Sequence, residues 1–210
     1  KNLCLSFTTS GITVILGPNG SGKSLLTKII KGIVKPDSGC LSIYLDGNHP
    51  ESGYLSQKIT FFRRNIYNNL AYPMKIRGYS NNEISLRINY LLNKFEFKGK
   101  EKESARLLSE GNKQYLSFIR SLVNNPKLLI LDEPSSNLDM KFTKKIEDYL
   151  IAAKTKKKVI MVTHDIFQAR RLADEILLLN DGKIVEISEK KIFLKSTNKL
   201  VRKFLKGNLF

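Results

Sequence analysis

A length of 210 residues suits one large domain, or a core with a subdomain, and 41% hydrophobic with 26% charged residues is an ordinary globular balance. No apolar run approaches the ~20 residues that crossing a bilayer requires, nothing at the start reads as a cleavable signal, and Cys4 and Cys40 form neither a disulfide framework nor a metal pattern. The net charge of +17 is carried by scattered lysines without an RNA-recognition, helix-turn-helix or zinc-finger pattern, so nucleic acid is not expected as a partner and an anionic membrane surface is the more economical use of the charge.

Asn2 to Phe7 alternates Leu3, Leu5 and Phe7 with polar residues and predicts a strand. Gly11 to Leu16 predicts a short buried strand, and Leu25 to Lys31 the helix after it. Lys35 to Gly39 is a turn, followed by an expected strand at Cys40 to Leu45, closed by Asp46-Gly47-Asn48. Tyr54 to Gln57 reads as a short strand with a polar end. Helical patterns follow at Asn65 to Tyr72, Asn81 to Phe95 and Asn112 to Val123, with Pro73 and Gly78 separating the first two. Strands are then expected at Lys127 to Leu131, Lys158 to Val162 and Glu175 to Leu179, alternating with helices at Met140 to Ala153 and Ile166 to Leu172. A hairpin through Asn180-Asp181-Gly182 leads into Lys183 to Ile187. The basic tail, Lys195 to Phe210, spaces Leu200, Phe204 and Leu205 in roughly helical fashion and could dock on the core or graze a membrane. Apolar strands alternating with helices imply an α/β fold with a mainly parallel sheet covered on both faces.

Between the first buried strand and its helix stands Gly17-Pro18-Asn19-Gly20-Ser21-Gly22-Lys23-Ser24, which fits the phosphate-loop pattern. Its glycines let successive backbone N–H groups turn around phosphate oxygens, and the helix N-terminus adds partial positive charge. Lys23 would reach the β- and γ-phosphates, and the Ser24 hydroxyl would sit on Mg²⁺. A second signal is Leu128-Leu129-Ile130-Leu131-Asp132-Glu133-Pro134, an apolar strand ending in two carboxylates. Ligands of such sheets bind beyond the carboxyl ends of the strands. Asp132 is therefore placed to hold Mg²⁺, and Glu133 to orient and polarise an attacking water. Two solvated acids in a turn remain the bland alternative.

The order of these motifs with Gln57, Leu108-Ser109-Glu110-Gly111-Asn112, Ser136-Asn137-Leu138-Asp139 and Thr163-His164-Asp165 resembles the ATP-binding cassette family over Leu3 to Ile187. The resemblance implies a phosphate-loop NTPase with a mainly parallel central sheet, an N-terminal antiparallel β portion and a helical subdomain at about 60–125. All of it would form one ATP-binding domain over 1–210, with a basic tail at about 195–210. In the family, two subunits pair head to tail, and each ATP is sandwiched between one phosphate loop and the other subunit's signature. ATP and Mg²⁺ are thus the implied ligands. Ser109, Glu110, Gly111 and Asn112 would meet the ATP of a second copy. Asp139 would touch across the dimer as well as cap the Met140 helix. By the same resemblance, Gln57 shares in positioning Mg²⁺ and water and reports to the membrane partner. His164 would contact the γ-phosphate and steady the water, with Asp165 as the N-cap of the next helix.

The signature departs from the family's Leu-Ser-Gly-Gly-Gln. Glu110 replaces a glycine, which excludes φ > 0 without strain and brings negative charge near phosphate. Asn112 is a shortened amide, and Tyr115 stands where arginine is frequent. Slower hydrolysis or weaker dimerisation is the expected consequence. The stretch Gln57 to Gly78, which includes Phe61 to Pro73, is similar to one in importer subunits for small solutes, including oxyanions and amino acids. The expected protein is an ATP-hydrolysing transporter subunit at the cytoplasmic face of the membrane. Its partners would be transmembrane permease subunits, a second copy of itself and a solute-binding protein. Two other readings stay open: a soluble cassette ATPase acting on nucleic acid or ribosomes, and an ATP-gated regulatory subunit with weak hydrolysis.

Overall fold

The computed structural model describes residues 3–45 and 47–207. Strands β1 (Gly11–Leu16), β2 (Ser52–Leu55), β3 (Leu128–Asp132), β4 (Lys158–Val162), β5 (Glu175–Asn180) and β6 (Lys183–Glu189) form one sheet in the order β2-β3-β4-β1-β5-β6. All neighbours run parallel except β5 and β6, which are antiparallel. The helices are α1 (Lys23–Ile30), α2 (Ile66–Lys75), α3 (Asn81–Lys94), α4 (Glu110–Ser121), α5 (Met140–Ala153), α6 (Ile166–Leu172), α7 (Lys190–Phe193) and α8 (Lys199–Leu205). Among the described residues, no helix is long and apolar enough to cross a membrane.

Side chains alternate along a strand, so an unbroken apolar run needs cover on both faces of the sheet. Val14, Leu129, Leu131 and Met161 enter one apolar layer, which α5 and α6 close with Ile146, Leu150, Ala169 and Leu172. Ile15, Ile130, Ile160 and Leu177 enter the other, covered by Leu26 and Ile30 of α1. Helices α2, α3 and α4 join the first layer through Leu70, Ile88, Leu92 and Phe118. The tail question is answered by α8, whose Val201 and Phe204 are fully buried in that same layer. Asn208 to Phe210 lie outside the described residues.

Two expected strands do not form. Leu3 to Phe7 and Cys40 to Leu45 carry no strand, only a bridge between Leu45 and Asn48, while Asn2 and Asp46 lie outside the described residues. The sheet's antiparallel pair is therefore the β5–β6 hairpin, and no N-terminal antiparallel portion is present among the described residues. Leu5, Phe7 and Ile43 lie half-buried on the second layer. They gain apolar cover without a neighbouring ladder, and a lone pair of strands is marginal in water. Pro73 is a further difference. It lies inside α2 and does not end it. The helix runs on past the lost hydrogen bond because Met74 is buried in the core one residue later.

The register brings the chemistry together. Leu55 pairs with Leu131, Asp132 with Val162, and Ile15 with Val162, which aligns the carboxyl ends of β2, β3, β4 and β1. The chain leaves those ends toward Gln57, Glu133, His164 and Gly17.

Candidate active site

Gly17, Gly20 and Gly22 have φ of 152°, 78° and 102°. At Gly17 a Cβ would lie 2.1 Å from the Leu179 carbonyl oxygen, so only glycine lets the loop pass β5. Lys23 is 8% exposed. Its Nζ donates to the carbonyls of Gly17 at 2.7 Å and Pro18 at 2.8 Å. Burial draws its pKa down, opposed by the charges of Glu133 and Asp132. The Ser21 hydroxyl is buried with no hydrogen-bond partner, and the first turn of α1 holds no acidic residue. A buried ammonium, an unpaired hydroxyl and a bare helix N-terminus form a cradle for phosphate.

Asp132 is 1% exposed. Burial raises its pKa, against a hydrogen bond from the Ser24 hydroxyl and the charge of Lys23. One of its oxygens, Oδ1, is buried without a partner. A hydroxyl beside an unpaired carboxylate oxygen is the oxygen donor set that a hard divalent cation takes, so Ser24 and Asp132 fit Mg²⁺. Gln57 is exposed in the bend after β2, beside the end of β3.

Glu133 adopts φ +53°, the left-handed region. Its N–H donates to the Val162 carbonyl at 3.0 Å. His164 Nδ1 lies 3.0 Å from both carboxylate oxygens. Burial raises the Glu133 pKa, and the hydrogen bond and charge of His164 oppose the rise. The imidazole itself is mostly exposed, 65% against 12% for the Glu133 side chain. It therefore faces outward from the carboxylate toward the open edge. Asp165 caps α6 as expected, its Oδ1 accepting from the Phe167 N–H at 2.7 Å.

Ser109 is the N-cap of α4, its Oγ accepting from the Asn112 N–H at 3.3 Å. The strain expected at Glu110 does not arise, because Glu110 opens α4 and is absent from the residues with positive φ. Its carboxylate pairs with Lys113 Nζ at 2.7 Å, one helical turn away. Gly111 is confined from within its own chain, since a Cβ there would lie 2.9 Å from the Asn137 carbonyl oxygen. Asp139 caps α5, accepting from the Phe142 N–H at 2.8 Å. Tyr115, fully buried, stacks on Phe142 at 4.4 Å and meets Phe95 at 5.8 Å and Phe97 at 5.9 Å. Sequence reasoning missed Gln114, whose Nε2 donates to the Glu133 carbonyl at 2.7 Å. Its place on the core face of a helix next to the signature was the available signal.

A phosphate cradle with two carboxylates and a histidine on the same sheet edge defines a phosphate-loop nucleotide hydrolase. Residues 1–136 match the family described as ABC transporter. The chain is 35% identical over 208 residues to the molybdate/tungstate import ATP-binding protein WtpC of Methanocaldococcus jannaschii, spanning 93% of this chain and 68% of that one. It is 34% identical over 188 residues to the tungstate uptake system ATP-binding protein TupC of Peptoclostridium acidaminophilum, spanning 87% of each. Among solved structures, a dimeric ATP-binding cassette in a post-hydrolysis state bound to ADP and Pi superposes with a TM-score of 0.81 at 27% identity. That match covers 90% of this chain and 89% of the other. The chain belongs to the ABC transporter family, as an ATP-binding, ATP-hydrolysing subunit.

Proposed function

We propose that this chain powers import of a small oxyanion, as one of two ATPase subunits seated on transmembrane permease subunits at the cytoplasmic face of the membrane. A solute-binding protein would deliver the oxyanion from the other side. The observation that carries the reading is the shared register of β2, β3, β4 and β1, which ends Gln57, Asp132, Glu133 and His164 on the same edge of the sheet as the phosphate loop. The oxyanion is supported by relatives named for molybdate, tungstate and tungstate uptake.

Residues Gly17 to Ser24 would take the phosphates, with Lys23 exchanging its two carbonyl partners for phosphate oxygens. Ser24, Asp132 and Gln57 would hold Mg²⁺, which when bound supplies charge neutralisation at the β- and γ-phosphates. Glu133 polarises the attacking water, and its raised pKa makes it a stronger base than an exposed carboxylate. His164 orients that carboxylate and offers the imidazole to the γ-phosphate. Ser109, Gly111 and Asn112 complete the site of a second copy, and Asp139 contacts that copy. Lys113 neutralises Glu110 locally, which lessens the repulsion a carboxylate would bring to phosphate.

Mixing tests the composite site. Lys23→Ala and Ser109→Arg chains should each be inactive as homodimers. Mixed in equal amounts, they form heterodimers with one intact site, and about a quarter of wild-type hydrolysis should return by statistics of pairing. No recovery would contradict the shared site. Uptake of tungstate by cells producing the assembled transporter tests the solute, and absence of uptake would remove the oxyanion assignment.

A further inference from the structure

We infer that Gln114 is a positioning residue for the Glu133 carboxylate, an inference that rests on Glu133 having the role proposed above. Gln114 is 2% exposed on α4, and its Nε2 donates to the Glu133 carbonyl at 2.7 Å. The same carbonyl accepts from Ser136 Oγ at 3.0 Å and from the Ser136 N–H at 3.2 Å. With the Glu133 N–H held by Val162 at 3.0 Å, these bonds bracket a φ of +53°. A non-glycine residue stays there only where its surroundings over-determine the backbone. The backbone angle in turn aims the side chain, so relaxing φ swings the carboxylate away from His164.

Gln114 is the shortest of these bonds and the one that comes from α4. Its neighbours on that helix are fixed to the same segment. Gly111 approaches the Asn137 carbonyl, and Tyr115 stacks on Phe142 at 4.4 Å. Helix α4 thus meets residues 133–142 at three points, and Gln114 is the point that acts on the catalytic residue. A buried amide needs its hydrogen bonds satisfied, but any backbone carbonyl would satisfy it. The carbonyl it engages belongs to a strained residue.

The test is Gln114→Met, which keeps the length and removes the N–H. The kcat for Mg·ATP hydrolysis should fall about 10–100-fold, with KM and ATP affinity unchanged within about twofold. Placed on Glu133→Gln, the same change should add no further loss to the residual single-turnover rate, because the group being positioned is already gone. A merely structural role would slow both backgrounds alike. Unchanged kcat in Gln114→Met, alongside turnover lost in Glu133→Gln, overturns this inference alone. Unchanged turnover in Glu133→Gln overturns the underlying role of Glu133. Should the Met variant not fold, Gln114→Asn keeps the amide one methylene short of the carbonyl, with the same loss expected and the same refutation.

Discussion

Tyr115→Phe should stabilise the protein. The ring is fully buried, and it packs on Phe142 at 4.4 Å, Phe95 at 5.8 Å and Phe97 at 5.9 Å. Its hydroxyl is buried with no partner, and burial pushes the phenol pKa up, with the Glu96 charge adding to the rise. Leaving a polar group unsatisfied costs about 1–3 kcal/mol. Deleting the oxygen leaves a void smaller than a methyl group, which costs less than about 1 kcal/mol. The ring contacts survive the change, so the net gain is about 1 kcal/mol. For a domain of this size that raises Tm by about 2–4 °C. Urea unfolding and thermal melting of both proteins measure it. A loss of stability would refute the reasoning, because it would mean that the hydroxyl makes a hydrogen bond in solution.

Other sites give further expectations. Glu147 accepts from Arg171 Nε at 3.0 Å and from its terminal nitrogen at 2.7 Å, clamping α5 to α6. Burial works to raise the Glu147 pKa, but the hydrogen bonds from Arg171 and Gln168 outweigh it and hold it below the usual value. Arg171 is half exposed, so screening keeps the cost of Arg171→Ala to about 1–2 kcal/mol at pH 7. A depressed carboxylate contributes stability above its ordinary value and loses it as pH falls through the folded pKa. The gap between variant and wild type should therefore narrow below about pH 4, followed by melting across pH. Asn69 is fully buried, accepting from the Phe62 N–H at 3.0 Å and donating to the Arg64 and Asn65 carbonyls at 3.0 Å each. Asn69→Ala should cost about 2 kcal/mol in urea unfolding and speed amide exchange at Phe62; native-like exchange would show that the segment after Gln57 does not depend on it.

The phosphate loop was legible because its chemistry permits few residues: glycine where φ is positive or backbone crowds, lysine where phosphate charge must be met. Asp132 and Glu133 were legible as the polar end of an apolar strand. What escaped was non-local. Leu3 to Phe7 has the alternation of a strand, but a ladder needs a neighbouring strand that periodicity does not report. At Pro73, a valid local rule met the burial of Met74 and lost. Glu110 was expected to be strained by analogy with glycine, yet its helical φ is ordinary for any L-residue. Gln114 is a polar residue in a helix, and only the approach of α4 to the segment that follows β3 turns it into a partner of Glu133.

The central claim is that Glu133 activates water in a phosphate site that binds ATP without it. Glu133→Gln keeps the shape and removes the charge and the base. ATP titration should give an affinity within about twofold of wild type, while steady-state hydrolysis falls at least about 100-fold. Hydrolysis at the wild-type rate in that variant would contradict the account.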